Sequence, residues 1–248
     1  WELGGIAQHS QVQARTLDGG ERGVIAPEQV QDGYVEADDH RPGTGLLVLE
    51  NTHNAKGGTA IAPERIDAAA EAAHEQGVPV HLDGARLFNA AAALDVPAAR
   101  IAREADSVMS CLSKGLGAPV GSMLAGSSDF IERARRVRKL LGGGMRQAGI
   151  VAAPGLLALE NRNRLQADHR RARELAVGLD AIEGWRVPQP ETNIVLVETD
   201  ESAREVLDRL EERGIKGSAF GEHTIRFCTH WDIDDEDIET TVKRARDV

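Results

Sequence analysis

Cysteine is nearly absent: the 248 residues contain two, Cys111 and Cys228. Two thiols cannot make a disulfide framework, and neither has metal-ligand spacing, so no metal site is expected. Both lie in apolar stretches, SVMSCLS and IRFCTH, and are read as buried, unreactive thiols of a reducing cytoplasm. No apolar run approaches the roughly 20 residues that span a bilayer, so no membrane partner is expected. No secretory signal opens the sequence. Lysine is scarce, with 5 against 24 arginines, and the net charge is −11. That balance disfavours nucleic acid, whose phosphates need a basic surface. A surface rich in carboxylates and poor in lysine suits high salt, where it stays hydrated; the alternative is an ordinary acidic cytoplasmic protein. Internal repeats and low-complexity tracts are also missing.

What is present is a soluble globular pattern, 41% apolar with charged residues interleaved, long enough for one or two domains with a sizeable core. The opening WELGGI, from Trp1, reads as a start within a domain. GLLVLENT (45–52), VPVHLDG (78–84), DSVMSCLS (106–113) and VGSMLAG (120–126) read as strands. Between the first two lies an Ala-rich helix that begins at Pro63 and ends at Gly77, residues suited to a first turn and a C-terminal cap. The alternation predicts parallel strands with helical crossovers, an α/β sheet. Helical pattern runs over 127–141 and 148–179. Strands at 193–199 and 223–230, each followed by a helix, predict a small C-terminal α/β domain. A long helix near 155–170 would join the two, giving a large domain over 1–164 and a small one over 165–248.

Ligands bind at the strand ends of parallel sheets, and three strand ends here carry ionisable groups. ENTHN holds His53; HLDGAR holds His81, Asp83 and Arg86; CLSKGLGAPVG holds Lys114. Lys114 follows a buried strand in a stretch with no other charge. Desolvation there would lower its pKa and make it a nucleophile for Schiff-base chemistry; otherwise it is a surface lysine in a glycine turn. Asp83 ends an apolar strand, where a carboxylate is costly unless paired. It either holds a cationic ring nitrogen or caps the following helix. Consecutive strand ends would place Asp83 and Lys114 on opposite sides of one ring. His81 shares the face of Asp83 and either bonds it from behind or fills the core.

HLDGARLFNA, CLSKGLGAPVGS, LLGGGMRQAG and LENTHN, in that family's order, are very similar to the L-threonine aldolases. Those are pyridoxal-phosphate enzymes of the aspartate-aminotransferase-like fold, fold type I. The resemblance runs nearly end to end. It implies a mostly parallel sheet in a large domain, a small C-terminal domain, and a homodimer or homotetramer. It implies that Lys114 bears the cofactor and Asp83 pairs with its pyridine nitrogen. Arg86 would lie near the phenolic oxygen and the substrate carboxylate, His53 would face the substrate side chain, and Arg226 would grip the α-carboxylate. Arg146 would lie near the subunit interface, reaching a neighbour's cofactor or making an interface ion pair. The implied substrate is a β-hydroxy-α-amino acid such as L-threonine or L-allo-threonine, split to glycine and an aldehyde, with His53 as candidate base. The alternatives are another lyase or aminotransferase of this fold, or a cofactor-free remnant that keeps the fold and dimerises.

The sequence departs from that family in one respect. The family's pattern has about a quarter more chain before the point matching Trp1, including the glycine- and threonine-rich helix start that binds the cofactor phosphate. The large domain is therefore expected to be incomplete at its N-terminus, and residues 1–248 alone to hold the cofactor weakly and be inactive. The GGT at 57–59 is not a substitute for that cradle.

Overall fold

The computed structural model describes residues 2–248; Trp1, on which the reading of the sequence start rests, lies outside them. Two four-stranded sheets organise the chain. The first comprises β1 (Leu47–Glu50), β2 (Val80–Asp83), β3 (Ser107–Cys111) and β4 (Ser122–Gly126), in that spatial order. In β2, Val80 and Leu82 are fully buried, while His81 and Asp83 turn to the other face, as the two-residue period of a strand requires.

Helix α3 (Pro63–His74) crosses from β1 to β2, burying Ile66, Ala69, Ala70 and Ala73 at helical spacing. Proline takes its first turn, as expected. At its far end Gly77 adopts φ +71°, which lets the Val78 N–H return to the Ala73 carbonyl at 3.0 Å. Helices α4 (Leu87–Leu94) and α5 (Ala98–Ile101) then carry the chain to β3. Strands β1, β2 and β3 are mutually parallel, as the alternation of strand and helix predicts. The fourth strand departs from that expectation, because β4 runs antiparallel to β3. Only residues 112–121 connect the two, too few for a parallel crossover with its helix.

Helix α6 (Ser128–Leu140) follows, capped by the Ser127 hydroxyl accepting from the Phe130 N–H. The long joining helix expected near 155–170 is interrupted. Helix α7 (Gly149–Glu160) ends in a 3₁₀ turn over Asn161–Arg164, and α8 (Leu165–Asp180) starts anew. Asn161 and Asn163 favour such a break, since their side chains compete for backbone hydrogen bonds.

The second sheet has β5 (Trp185–Arg186), β6 (Ile194–Thr199), β8 (Thr224–Cys228) and β7 (Ser218–Ala219) in spatial order, all antiparallel. The short β5 and β7 have no counterpart in the sequence reading. Although α9 (Ala203–Glu211) separates β6 from β8, they pair antiparallel, so this part is not a βαβ unit. Its core joins Leu175, Leu179, Val197, Leu210 and Ile225 with Ile238 of α10 (Asp235–Ala245). Each such fully buried aliphatic side chain contributes about 1.5–3 kcal/mol. A smaller cluster, Leu112, Leu116, Ala118, Ala158 and Leu165, lies under the turn that follows β3.

Candidate active site

The parallel strands β1, β2 and β3 end together, with Glu50 aligned to Asp83 and Asp83 to Met109. Three loops leave this edge, carrying His53, Arg86 and Lys114, so the expected adjacency of the Asp83 and Lys114 strand ends is observed.

The first loop is closed by two pairs. The fully buried Asn51 amide donates to the Ile61 carbonyl at 2.9 Å and accepts from the Ile61 N–H at 3.0 Å, imitating a strand pair. The His53 N–H bonds the Thr59 carbonyl at 2.9 Å. Within this frame His53 is half-buried, with its Nε2 3.8 Å from Glu50 Oε2. Its Nδ1 is buried without a hydrogen-bond partner. The ring lies against Gly23, where a Cβ would come within 2.2 Å of it; a side chain at residue 23 would displace the imidazole. The other oxygen of Glu50 accepts from the Asn54 N–H at 2.9 Å.

Asp83 Oδ1 accepts from the Ala85 N–H at 3.0 Å, which bends the chain sharply out of β2. The carboxylate therefore holds a turn instead of capping α4, whose N-cap position is Arg86. Asp83 Oδ2 has no hydrogen-bond partner among the described residues. His81 does not reach Asp83 and does not fill the core: half-buried, it pairs through Nδ1 with the Ser107 hydroxyl at 2.8 Å. Burial holds its pKa below the usual histidine range, against the pull of Asp83.

Two arginines converge on this edge from different sheets. Arg226 of β8 donates from Nη1 to Asn54 Oδ1 at 3.2 Å and stands 5.4 Å from the Phe220 ring centroid. Its Nε is buried and has no partner. Arg86 lies close by. Burial lowers its pKa most; Cys228 opposes that shift and Arg226 reinforces it, with Glu50 and Cys111 opposing it further. Neither arginine makes an ion pair among the described residues. Two guanidiniums that feel each other's charge, neither in a close ion pair, suit an anion, and a planar fork suits a carboxylate.

Two expectations need correction. Lys114 is exposed, so the desolvation anticipated for it is not seen. It leaves β3 in a turn that sends Leu112 and Leu116 inward and the lysine outward. Cys111 and Cys228 are half-buried beside Arg86 and do not belong to the core. Arg146 is exposed, in the segment between α6 and α7. Asn193 anchors the start of β6, donating to the Thr229 carbonyl at 2.9 Å, and His230 is exposed with its Nδ1 3.8 Å from Asp232 Oδ2.

Glu50, Asn54 and Phe220 were not anticipated from the sequence. Nor was the buried pair Arg164–Asp168, whose i,i+4 spacing was a usable signal but whose burial was not. Among the described residues no cluster of histidine, cysteine and carboxylate suits a metal, and no helix is long and apolar enough to cross a membrane.

The family model of the beta-eliminating lyases matches residues 1–202. A low-specificity L-threonine aldolase of Arabidopsis thaliana is 41% identical over 251 residues, which cover 98% of this chain and 70% of that protein. The solved structure of a threonine aldolase from Leishmania major superposes with a TM-score of 0.78 at 21% identity, covering 99% of this chain and 75% of the other. An aspartate aminotransferase of Thermus thermophilus gives a TM-score of 0.64 at 19% identity, over 90% of this chain and 60% of that one. At such identities the two structures establish the fold alone: an α/β arrangement of fold type I.

Proposed function

We propose that the full-length protein carrying this chain, which belongs to the beta-eliminating lyase family, cleaves L-threonine and L-allo-threonine to glycine and acetaldehyde with the help of pyridoxal phosphate. The observation that carries the reading is the buried, unsatisfied Nε of Arg226, together with Arg86, which feels the Arg226 charge and like it makes no ion pair among the described residues. An amino-acid carboxylate would supply the missing acceptor.

The residues at the strand ends also fit the cofactor. Asp83 keeps one oxygen free of hydrogen bonds while the other fixes its turn, so it would hold a proton on the pyridine nitrogen. Lys114 leaves the adjacent strand end with a primary amine exposed toward solvent, and would bind the cofactor covalently. When bound, pyridoxal phosphate supplies an electron sink for the pair released as the Cα–Cβ bond breaks. Arg86 and Arg226 would orient the substrate by its carboxylate, which fixes the bond to be broken relative to the ring. His53, with Glu50 3.8 Å from its Nε2, would take the β-hydroxyl proton.

The finer reading of assembly is a homodimer or homotetramer in the cytoplasm. The chain exposes 15128 Å², against about 10,700 Å² for a compact monomer of this size. The excess is well above the roughly 800 Å² that each partner contributes to a standard interface. Much of the exposed apolar surface lies on β4, α6 and α7, where Leu140 is 84% and Ile150 75% exposed.

The test is to incubate the purified full-length protein with pyridoxal phosphate and each substrate at low and high salt. Glycine and acetaldehyde should appear in equal amounts. Amino transfer to a 2-oxo acid without glycine, or no glycine from either substrate, would overturn the reading.

A further inference from the structure

The turn that presents Lys114 is gripped from outside the sheet that it leaves. Gly115, next to Lys114, accepts through its carbonyl from Arg164 Nη1 at 2.8 Å. The same guanidinium lies in a two-bond fork on Asp168, with Nη1 to Oδ2 at 3.0 Å and Nη2 to Oδ1 at 2.8 Å. The Asp168 side chain is fully buried and that of Arg164 is 18% exposed. Trp231 covers the guanidinium, its ring centroid 4.3 Å from Cζ. Trp231 also lies against Gly117, whose φ is +81° and where a Cβ would come within 3.2 Å of the ring. Leu165 fills the space beside Gly115, where a Cβ would come within 2.8 Å of it. The turn over 114–118 is thus held by the 3₁₀ turn before α8, by α8 itself and by Trp231, which follows β8.

We propose that Arg164 is a positioning residue: by bridging the Gly115 carbonyl to Asp168 under Trp231, it fixes the turn that aims the Lys114 amine. The inference rests on Lys114 being the cofactor-bearing lysine of the proposed function. Its physical basis is that Arg164 serves three groups at once. A guanidinium already locked on a buried carboxylate approaches the Gly115 carbonyl without further ordering. Without that bond, the Lys114 turn, with glycines at 115 and 117, regains conformational freedom. The amine would then spend less time aimed at the cofactor. Lysine cannot replace Arg164 fully, because its ammonium has no planar fork and no flat face to stack on Trp231.

Two variants separate positioning from support of the fold. R164K keeps a charge beside Asp168. The pair R164M/D168L replaces the buried ion pair with apolar groups, an exchange that often leaves stability unharmed. Two readouts are taken: amide exchange in the ligand-free protein, and titration with pyridoxal phosphate followed by the absorbance of the lysine-bound cofactor. The Gly117 and Ala118 amides, bonded to the Lys114 and Leu112 carbonyls at 2.9 and 3.0 Å, should exchange about tenfold faster in R164M/D168L, the scale of one charge-assisted hydrogen bond. Exchange in β6 and β8 should not change. The Kd for pyridoxal phosphate should rise about tenfold, with R164K between that variant and the parent.

Unchanged exchange at 117 and 118 in a folded variant would overturn the proposal. Faster exchange everywhere, β6 and β8 included, would reduce Arg164 to general support and also overturn it. Local loosening with an unchanged Kd would show that the turn does not aim the amine, a third refutation. Lys114→Ala serves as the control: if it keeps a borohydride-reducible link, the assignment of Lys114 fails, while the exchange result still decides whether Arg164 holds the turn.

Discussion

Asp83 and Lys114 reach the same edge by different routes, and single substitutions separate what each does. Asp83 spends one oxygen on the Ala85 N–H, and an asparagine Oδ1 accepts that bond equally well. Asp83→Asn should therefore fold with an unchanged melting temperature. Its amide cannot hold a proton on a ring nitrogen, so turnover should fall by about a hundredfold or more, the scale of losing one preorganised electrostatic contact. Steady-state kinetics beside a thermal melt checks both halves; a folded variant with near-parental kcat removes Asp83 from the chemistry. Lys114→Ala should abolish the borohydride-reducible link to pyridoxal phosphate, read by intact mass after reduction. A reduced adduct on any of the other four lysines would refute that assignment. Both residues stand out in the sequence because each stands alone: a carboxylate ending an apolar strand, and a lysine in a chain that has few. Asn54 and Glu50 were not legible, since a polar loop residue acquires its role only when a distant strand brings Arg226 within 3.2 Å. The exposure of Lys114 was misjudged for the same reason. A stretch without other charges shows that a lysine is isolated, not which way its turn faces.

Local pattern identified the elements themselves well where one period dominates. Helix α3, with its apolar residues at helical spacing between Pro63 and Gly77, was legible almost to its ends, and so were β2 and β3. The direction of β4 was not, because direction depends on what the connection contains, and residues 112–121 contain a glycine turn and no crossover helix. Nor were β5 and β7, two residues each, which leave no periodic signal. Helix α8 adds a prediction at this scale. His169, on its buried face, accepts at Nε2 from the Asn89 amide at 3.0 Å, and Asn89 in turn donates to Asn193. Burial, helped by the charge of Arg173, depresses its pKa to about 4. The unfolded chain binds this proton near pH 6.5 and the folded chain does not, so stability falls as pH drops from about 6.5 toward 4 and the loss levels off below that. The shift corresponds to roughly 3 kcal/mol at full effect. Asp168 acts in the opposite sense, since burial raises its carboxyl pKa against the pull of Arg164, so a comparison is needed. His169→Gln keeps an acceptor for Asn89 but does not titrate. Urea titrations at pH 7, 5.5 and 4.5 should show the parent losing stability more steeply than His169→Gln; parallel losses would mean that His169 takes its proton without cost to the fold.

At the scale of the whole molecule the net charge of −11 acts over distances that the ion pairs do not. Many surface arginines are already paired at close range: Arg209 with Glu201 and Arg103 with Glu104 at 2.7 Å, Arg170 with Asp235 and Arg100 with Asp67 at 2.8 Å. The surplus carboxylates repel one another over longer spans. Salt treats the two differently. At about 0.1 M the screening length is near 10 Å, and at 1 M near 3 Å. Repulsion among separated carboxylates is therefore removed first, while pairs in contact keep much of their attraction until the salt is molar. Exposed pairs of this kind contribute little individually, about 0–1 kcal/mol each, so their weakening does not offset the relief of repulsion. The melting temperature should rise steadily from 0.02 to 1 M sodium chloride, by about 2–4 °C for each kcal/mol gained. Screening also lets like-charged copies associate, and association stabilises by mass action. The melts are therefore run at two protein concentrations: a rise that is equal at both belongs to the single chain, and one that grows with concentration belongs to assembly. A melting temperature that is flat or falling with salt at both concentrations would show that the close ion pairs outweigh the surplus charge, and would end the reading of this surface as adapted to high salt.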